Sequence, residues 1–346
     1  MTTADRLDSL DMFGAALGLP EQILVALEAT ADLERLPNAD DLTSVMVCGM
    51  GGSGIGGDLA SVVAADRSRL PLVVSKHYEL PAWVDQRTLV VASSFSGNTE
   101  ETISAASEAH RRGCPVVVMS SGGRLAELAA QWDCPHIQLD SSIQMPRAGI
   151  GAVTIPLLGL LGKIGAIEDP SEEIRAVAAH LRSRCQDFVG PDSPTLQLAR
   201  RIGRTIPVVY GAGLSGEVVA TRWKGQFNEN PKVPSWANRI PELMHNEICG
   251  WAQHGDVTRQ MISLIALRHD FEHPQNQRRF ELVEEISREV VAGVYTVQAA
   301  GSTLLEQLFD LILFGDFVTL EAAVAAGVDP GPVPLLAEVK DALARH

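Results

Sequence analysis

The amino-acid sequence predicts an α/β fold made twice over: two domains, each a parallel β-sheet flanked by helices. Two observations carry that expectation. Short apolar runs of strand length, at residues 45–48, 72–75, 89–92, 116–119 and 136–139, alternate with stretches of helical composition such as 101–112 and 126–132. Strands covered on both faces by helices have this form. The pattern then restarts. Val208-Val209-Tyr210 leads into Gly211-Ala212-Gly213-Leu214-Ser215-Gly216, much as 45–48 lead into Gly49-Met50-Gly51-Gly52-Ser53-Gly54. A duplicated domain accounts for both halves.

In chain order, residues 1–40 form an N-terminal helical segment, with Leu7, Leu10, Phe13, Ala16, Leu17, Ile23, Leu24, Ala26 and Leu27 at helical spacing. The first domain spans 41–165. The most apolar stretch of the chain, 150–167, is rich in glycine and interrupted by Pro156 and Lys163, so a core helix fits better than a membrane span. A connecting helix and linker occupy 166–195. Ser171 caps a helix before Glu172-Glu173, and Gly190-Pro191-Asp192-Ser193-Pro194 reads as a loop. The second domain covers 196–320. Its apolar run 261–267 sits where 89–92 sits in the first domain, but it exits in Arg268-His269-Asp270 and not in hydroxyls. A C-terminal helix, 321–346, carries Lys340.

A chain of 346 residues is long enough for two real cores. Its 46% hydrophobic and 21% charged residues are ordinary for a soluble globular protein. With 28 Lys and Arg against 43 Asp and Glu the formal charge is −15, and no basic stretch offers to displace counterions from a nucleic acid. An acidic protein that binds an anion must therefore gather positive potential in one place. Five cysteines, Cys48, Cys114, Cys134, Cys185 and Cys249, are scattered with no Cys-x-x-Cys spacing. Neither a disulfide framework nor a zinc site is expected. The start of the chain lacks a basic region followed by an apolar one, so no signal peptide is expected either. Reduced thiols in a cytoplasmic protein follow.

The strongest chemical signal is Ser93-Ser94-Phe95-Ser96-Gly97-Asn98-Thr99, at the exit of the run 88–92 and before a helical pattern. Backbone amides at a helix start, joined by three hydroxyls, make a cradle for a dianionic phosphate. The helix dipole alone favours an anion there by roughly 0.3–1 kcal/mol when exposed. Thr99 before Glu100-Glu101-Thr102 could be a plain helix cap, but three hydroxyls around a glycine exceed what a cap needs, so phosphate binding is the favoured reading. Both Gly-x-Gly-x-x-Gly turns also match a dinucleotide fingerprint. That reading wants an acidic residue about 20 positions on, and Ser75-Lys76-His77 follow Val73-Val74 instead.

Met145-Pro146-Arg147 places one arginine in a cation-poor region. It is either a surface residue in a turn or a guanidinium aimed at an oxyanion. The stretch 226–251 gathers Glu229, Glu242, Glu247, His245, Asn228, Asn230, Asn246 and Lys232 among prolines. Without a second paired histidine it is no zinc helix. Glu229 with His245 would suit proton shuttling near neutral pH.

Together these stretches resemble the sugar isomerase (SIS) superfamily, and within it the bifunctional phosphoglucose/phosphomannose isomerase family. The motifs are Gly51-Gly52-Ser53-Gly54, Ser94-x-Ser96-Gly97-x-Thr99, Pro146-Arg147, Asn228-Glu229-Asn230, His245-Asn246-Glu247 and Gly327-Val328-Asp329-Pro330 ahead of Lys340. The resemblance implies flavodoxin-like SIS domains and a phosphorylated hexose substrate, with glucose 6-phosphate and fructose 6-phosphate interconverted. It implies that Gly52, Ser53, Ser94, Ser96 and Thr99 hold the phosphate. Glu229 would move a proton between C2 and C1 through a cis-enediolate, Arg147 would steady that intermediate, and His245 with Lys340 would open the sugar ring. It further implies a homodimer in which His245 enters from the partner subunit, with no metal and no organic cofactor. Dual-specific members use a threonine shortly before the final lysine. Residues 329–340 contain no hydroxyl, which makes mannose 6-phosphate the less secure substrate. The alternative is a non-catalytic SIS sensor of phosphosugars. A sensor has no need of Glu229, Arg147, His245 and Lys340 together.

Overall fold

A computed structural model describes residues 7–343 and residue 345. Among the described residues the first helices are α1 (Met12–Leu17) and α2 (Leu19–Glu28), so Gly18 divides the helical segment expected over 1–40, of which residues 1–6 lie outside the described ones. Strands and helices then alternate as β1 (Ser44–Cys48), α3 (Gly51–Ala64), β2 (Leu72–Ser75), β3 (Thr88–Ser93), α4 (Glu100–Arg111), β4 (Val116–Ser120), α5 (Gly123–Trp132) and β5 (His136–Gln138). After α6 (Ile150–Lys163), α7 (Ser171–Phe188) and α8 (Pro194–Ile202) the alternation resumes. It runs through β6 (Ile206–Ala212), α9 (Gly213–Glu229), β7 (Trp236–Ile240), α10 (Gly255–Met261), β8 (Ile262–Arg268), α11 (Pro274–Ser287) and β9 (Gly293–Gln298). The chain closes with α12 (Leu304–Ala325) and α13 (Pro334–Leu343). The stretch read as one C-terminal helix thus starts as the end of α12, breaks at Gly327 with φ +68, and restarts at Pro334.

The two sheets have the orders β2-β1-β3-β4-β5 and β7-β6-β8-β9, every pairing parallel. The α/β class with two helix-flanked parallel sheets is the one the sequence predicts. Every residue of β1, β3 and β4 is buried, which is why those strands read as unbroken apolar runs. In each sheet the chain order reverses beside the strand that comes first. The crevice outside the carboxyl ends of β1 and β3, and that outside β6 and β8, are the places where such folds take ligands.

The chain divides into two compact units. One holds the five-stranded sheet and comprises Gly18–Ser183 with Gly301–Glu306; the other holds the four-stranded sheet and takes the rest. In the first, residues Ile150 to Leu161 of α6 are buried throughout, Pro156 included. Gly56 of α3 meets Val153 of α6 with no room for a side chain: a methyl there would lie 2.7 Å from a Val153 methyl. No helix among the described residues is long and apolar enough to cross a membrane. In the second unit, α9 lies on α12 through a polar seam. Arg222 and Gln226 both donate to Asp316, the Trp223 indole donates to the Leu311 carbonyl at 2.8 Å, and Asn230 donates to Thr319 Oγ1 at 2.9 Å. This seam fixes the carboxyl end of α9, where Glu229 sits.

Candidate active site

In the first unit β1 leaves the sheet at Gly49 and turns into α3 through Met50 in an extended conformation and Gly51 with φ +53, a left-handed value that suits glycine. A side chain on Gly49 would lie 2.9 Å from the Ser93 carbonyl, so the glycine lets the ends of β1 and β3 close together. The neighbouring strand β3 exits through Ser94, which is buried. All four hydroxyls expected here are engaged around this exit. Ser94 Oγ and Thr99 Oγ1 share a hydrogen bond of 2.7 Å, and Ser53 Oγ accepts from the Phe95 amide at 3.2 Å. Ser96, exposed, accepts from the Asn98 amide at 3.3 Å. Gly97 has φ +70, and a methyl on it would overlap the Gly122 carbonyl. Behind the loop, Ser121 Oγ donates to the Phe95 carbonyl at 2.7 Å and the Leu125 amide to the Gly97 carbonyl at 2.9 Å. The loop is braced from the far side.

Thr99 stands at the N-cap of α4, yet its side chain makes no cap bond. Its hydroxyl turns to Ser94 instead. Met50, the N-cap of α3, makes none either. Two helices therefore begin at the ends of adjacent strands with no side chain capping their first amides. Such helix starts concentrate N–H donors and positive potential.

Arg147 lies in the short 3-10 turn Pro146–Ala148 and is 4% exposed, so it is no surface arginine. Gln22 of α2 holds this turn: its Nε2 donates to the Ala148 carbonyl at 3.0 Å, and its Oε1 accepts from the Ala152 amide at 3.1 Å. A methyl on Gly52 would lie 3.1 Å from the Pro146 carbonyl, and one on Gly149 would lie 3.3 Å from the Phe95 ring. The turn that carries Arg147 thus touches both the start of α3 and the hydroxyl loop. One unit brings Gly52, Ser53, Ser94, Ser96, Thr99 and Arg147 together.

Glu229, His245 and Lys340 belong to the second unit. Glu229 is the half-buried last residue of α9. The turn beyond it is locked: Asn228 donates to the Val233 carbonyl at 3.0 Å, and Lys232 donates to the carbonyls of Asn230 and Asp329 at 3.1 and 2.7 Å. His245 ends the 3-10 turn Glu242–His245 and is exposed, as is Lys340 on α13.

A family profile described as the bacterial phospho-glucose isomerase C-terminal SIS domain matches residues 192–343. The bifunctional phosphoglucose/phosphomannose isomerase of Caldicellulosiruptor bescii is 38% identical over 341 residues, covering 96% of this chain and 99% of that one. The chain belongs to the bifunctional phosphoglucose/phosphomannose isomerase family. The Aquifex aeolicus member is 33% identical over 89% of this chain and 93% of its own. Among solved structures, the C-terminal domain of glucosamine-fructose-6-phosphate aminotransferase from Francisella tularensis matches with a TM-score of 0.70 at 14% identity. It covers 92% of this chain and 96% of that one, a likeness of fold.

Within this phosphoglucose/phosphomannose isomerase family member, some neighbours of the site escape sequence reasoning. Gln22 is a polar residue on a helix like many others, and nothing near it announces a partner 126 residues away. Glu247 stands in the motif with His245, but its partners Tyr210 and Asn238 lie in strands upstream.

Proposed function

We propose that this protein is a cytoplasmic aldose–ketose isomerase that interconverts glucose 6-phosphate and fructose 6-phosphate through a cis-enediolate, using neither metal nor organic cofactor. The observation that carries this reading is the pair of uncapped helix starts, α3 and α4, set at the switch point and ringed by Ser53, Ser94, Ser96 and Thr99. Amides and hydroxyls so arranged suit the remote phosphate of the sugar, whose binding energy then orients the reacting carbons. Glu229 takes the proton from C2 and returns it to C1, Arg147 steadies the enediolate oxygens, and His245 with Lys340 opens the ring. The double name of the relatives supports mannose 6-phosphate as a second substrate. With no hydroxyl in residues 329–340, its turnover is the slower of the two.

A homodimer that exchanges His245 belongs to the same proposal. His245 is exposed, and α13 carries Leu335, Leu336, Val339 and Leu343 in the open around Lys340. Apolar residues in such a row call for a covering surface. The test is a coupled assay of the purified protein on fructose 6-phosphate, reading glucose 6-phosphate and mannose 6-phosphate separately, for the native chain and for Glu229→Gln and His245→Ala. Each variant loses about 10²–10⁴ in kcat. The two variants, unfolded and refolded together, recover activity, because a mixed dimer has one site with both groups intact. Binding of fructose 6-phosphate without either product would favour the sensor, and no recovery on mixing would remove the exchange of His245.

A further inference from the structure

The segment 241–252 that carries His245 is a weak piece of structure. It consists of two successive 3-10 turns, Glu242–His245 and Glu247–Ala252, a geometry used in short runs because its hydrogen bonds are poor. Leu243 is its one buried residue. Met244, Ile248 and Trp251 rest against the cluster of Tyr210, Ile240, Leu243 and Phe280, which holds the segment near the sheet. Apolar contact of this kind has no direction. It does not fix where along the sheet a histidine on the outer side will stand.

Direction comes from Glu247. Its two carboxylate oxygens take hydrogen bonds from two different strands: Tyr210 Oη–H of β6 donates to Oε1, and Asn238 Nδ2 of β7 donates to Oε2 at 2.5 Å. Tyr210 and Asn238 are register partners across the β6–β7 pairing, so their side chains stand side by side on one face of the sheet. One carboxylate bridges them. Burial and the adjacent carboxylate both push the Tyr210 phenol above its ordinary value, which keeps it a donor at any working pH. On the segment itself, Asn246 Oδ1 accepts from the Glu247 amide at 2.5 Å, and Asn246 Nδ2 donates to Glu242 at 3.2 Å. The two residues after His245 are thereby tied to the strands and to the turn before it. Hydrogen bonds to an ionised acceptor are the stronger and more directional kind.

We infer that Glu247 is the positioning residue for His245, clamping its segment to Tyr210 of β6 and Asn238 of β7 so that the imidazole meets the sugar ring oxygen in one place. The inference rests on the ring-opening role proposed for His245. Glu247 itself touches no reacting atom.

The experiment uses the full chain and two readouts. One is kcat on glucose 6-phosphate, which must be opened before it reacts. The other is the Kd of a five-carbon hydroxamate phosphate, an open-chain mimic of the enediolate that needs no ring opening. Glu247→Gln keeps the shape but sets an amide where an anion received two donors. It lowers kcat about tenfold or more and leaves the hydroxamate Kd within about twofold. Tyr210→Phe removes one of the two clamps and shifts kcat the same way by a smaller factor, again with the Kd held. Equal losses in both readouts, or native kcat in both variants, would overturn the role of Glu247. His245→Ala separates the two layers: if that variant turns over glucose 6-phosphate normally, the ring-opening assignment falls, whereas a crippled His245→Ala beside a native Glu247→Gln removes the positioning role alone.

Discussion

The two strand-turn-helix copies of this chain are nearly the same backbone with opposite surroundings. In both, the N-cap is extended and uncapped (Met50 at φ −116, Ala212 at φ −101) and the next glycine is left-handed (Gly51 at +53, Gly213 at +61). Both therefore offer a helix N-terminus at a switch point. Around the first copy stand hydroxyls, and Gly52 lacks the Cβ that would push away the Pro146–Ala148 turn. In the second, Leu214 occupies the position of Gly52 and projects to solvent. The exit of β8 is filled by the protein itself: Arg268 pairs with Glu272 at 2.8 Å, the Asp270 amide donates to Gln307 Oε1 at 2.8 Å, and Asp270 also accepts from Gln298 and Gln307. A helix start is a possible anion site in either unit. The side chains beside it decide whether donors remain for a ligand.

The largest expected effect tests the loop that only the first copy has. At Gly97 both the left-handed φ and the Gly122 carbonyl oppose a side chain, and a backbone carbonyl cannot swing aside as a flexible side chain can. Gly97→Ala costs about 1–3 kcal/mol in backbone strain alone and displaces Ser96 and Thr99 with the loop. The expected outcome is a lowered melting temperature together with loss of measurable phosphosugar binding. A variant that melts and binds like the native chain would mean that the loop geometry does not make the site.

Next come the hydroxyls themselves. A hydrogen bond to a charged phosphate contributes about 1.5–3 kcal/mol, so Ser94→Ala or Thr99→Val weakens fructose 6-phosphate binding roughly 10- to 150-fold. Ser215, which holds in the second copy the place of Ser53 in the first, is the control. Ser215→Ala leaves the affinity unchanged in calorimetric titration. Equal losses from Ser94→Ala and Ser215→Ala would erase the distinction between the copies.

The same contrast explains what could be read in the sequence. β1, β3 and β4 are buried on both faces and announce themselves as apolar runs, whereas β7 (Trp-Ala-Asn-Arg-Ile) and β9 are edge strands of their sheet with half-exposed, polar positions and gave no such signal. The hydroxyl loop was legible because its chemistry is local, six residues between a strand and a helix. The sequence left open whether the Thr99 hydroxyl caps α4, and whether Arg147 was buried. Each turned on a partner elsewhere: Ser94 five residues back for the first, and for the second a turn seated between Gln22, Gly52 and Phe95. Local pattern reports what a residue could do, and long-range contacts choose among the options.

The smallest effect concerns the residue that follows β8 where Ser94 follows β3. His269 is buried among Glu272, Arg268, Asp270 and the Ala212 carbonyl, and burial, outweighing the carboxylates, holds its imidazole below the ordinary value. Burial does the same, more openly, to His136 on β5 beside Ser120. The sign follows from linkage. Above the ordinary value of about 6.5 the imidazole is neutral in both folded and unfolded chains and pH has no leverage. As pH falls through that value, the unfolded chain takes up a proton that the folded chain refuses, so stability declines until the depressed folded value is reached. Carboxylates held low, such as Asp169 and Asp329, add to the decline only at lower pH. His269→Asn should therefore narrow the gap between the urea midpoints at pH 7.5 and 5.5 while leaving fructose 6-phosphate affinity at pH 7.5 as it was. If the gap persists unchanged, His269 is not charged differently in the two states. If affinity falls instead, the exit of β8 takes part in ligand binding, and the second copy is less closed than its filled crevice argues.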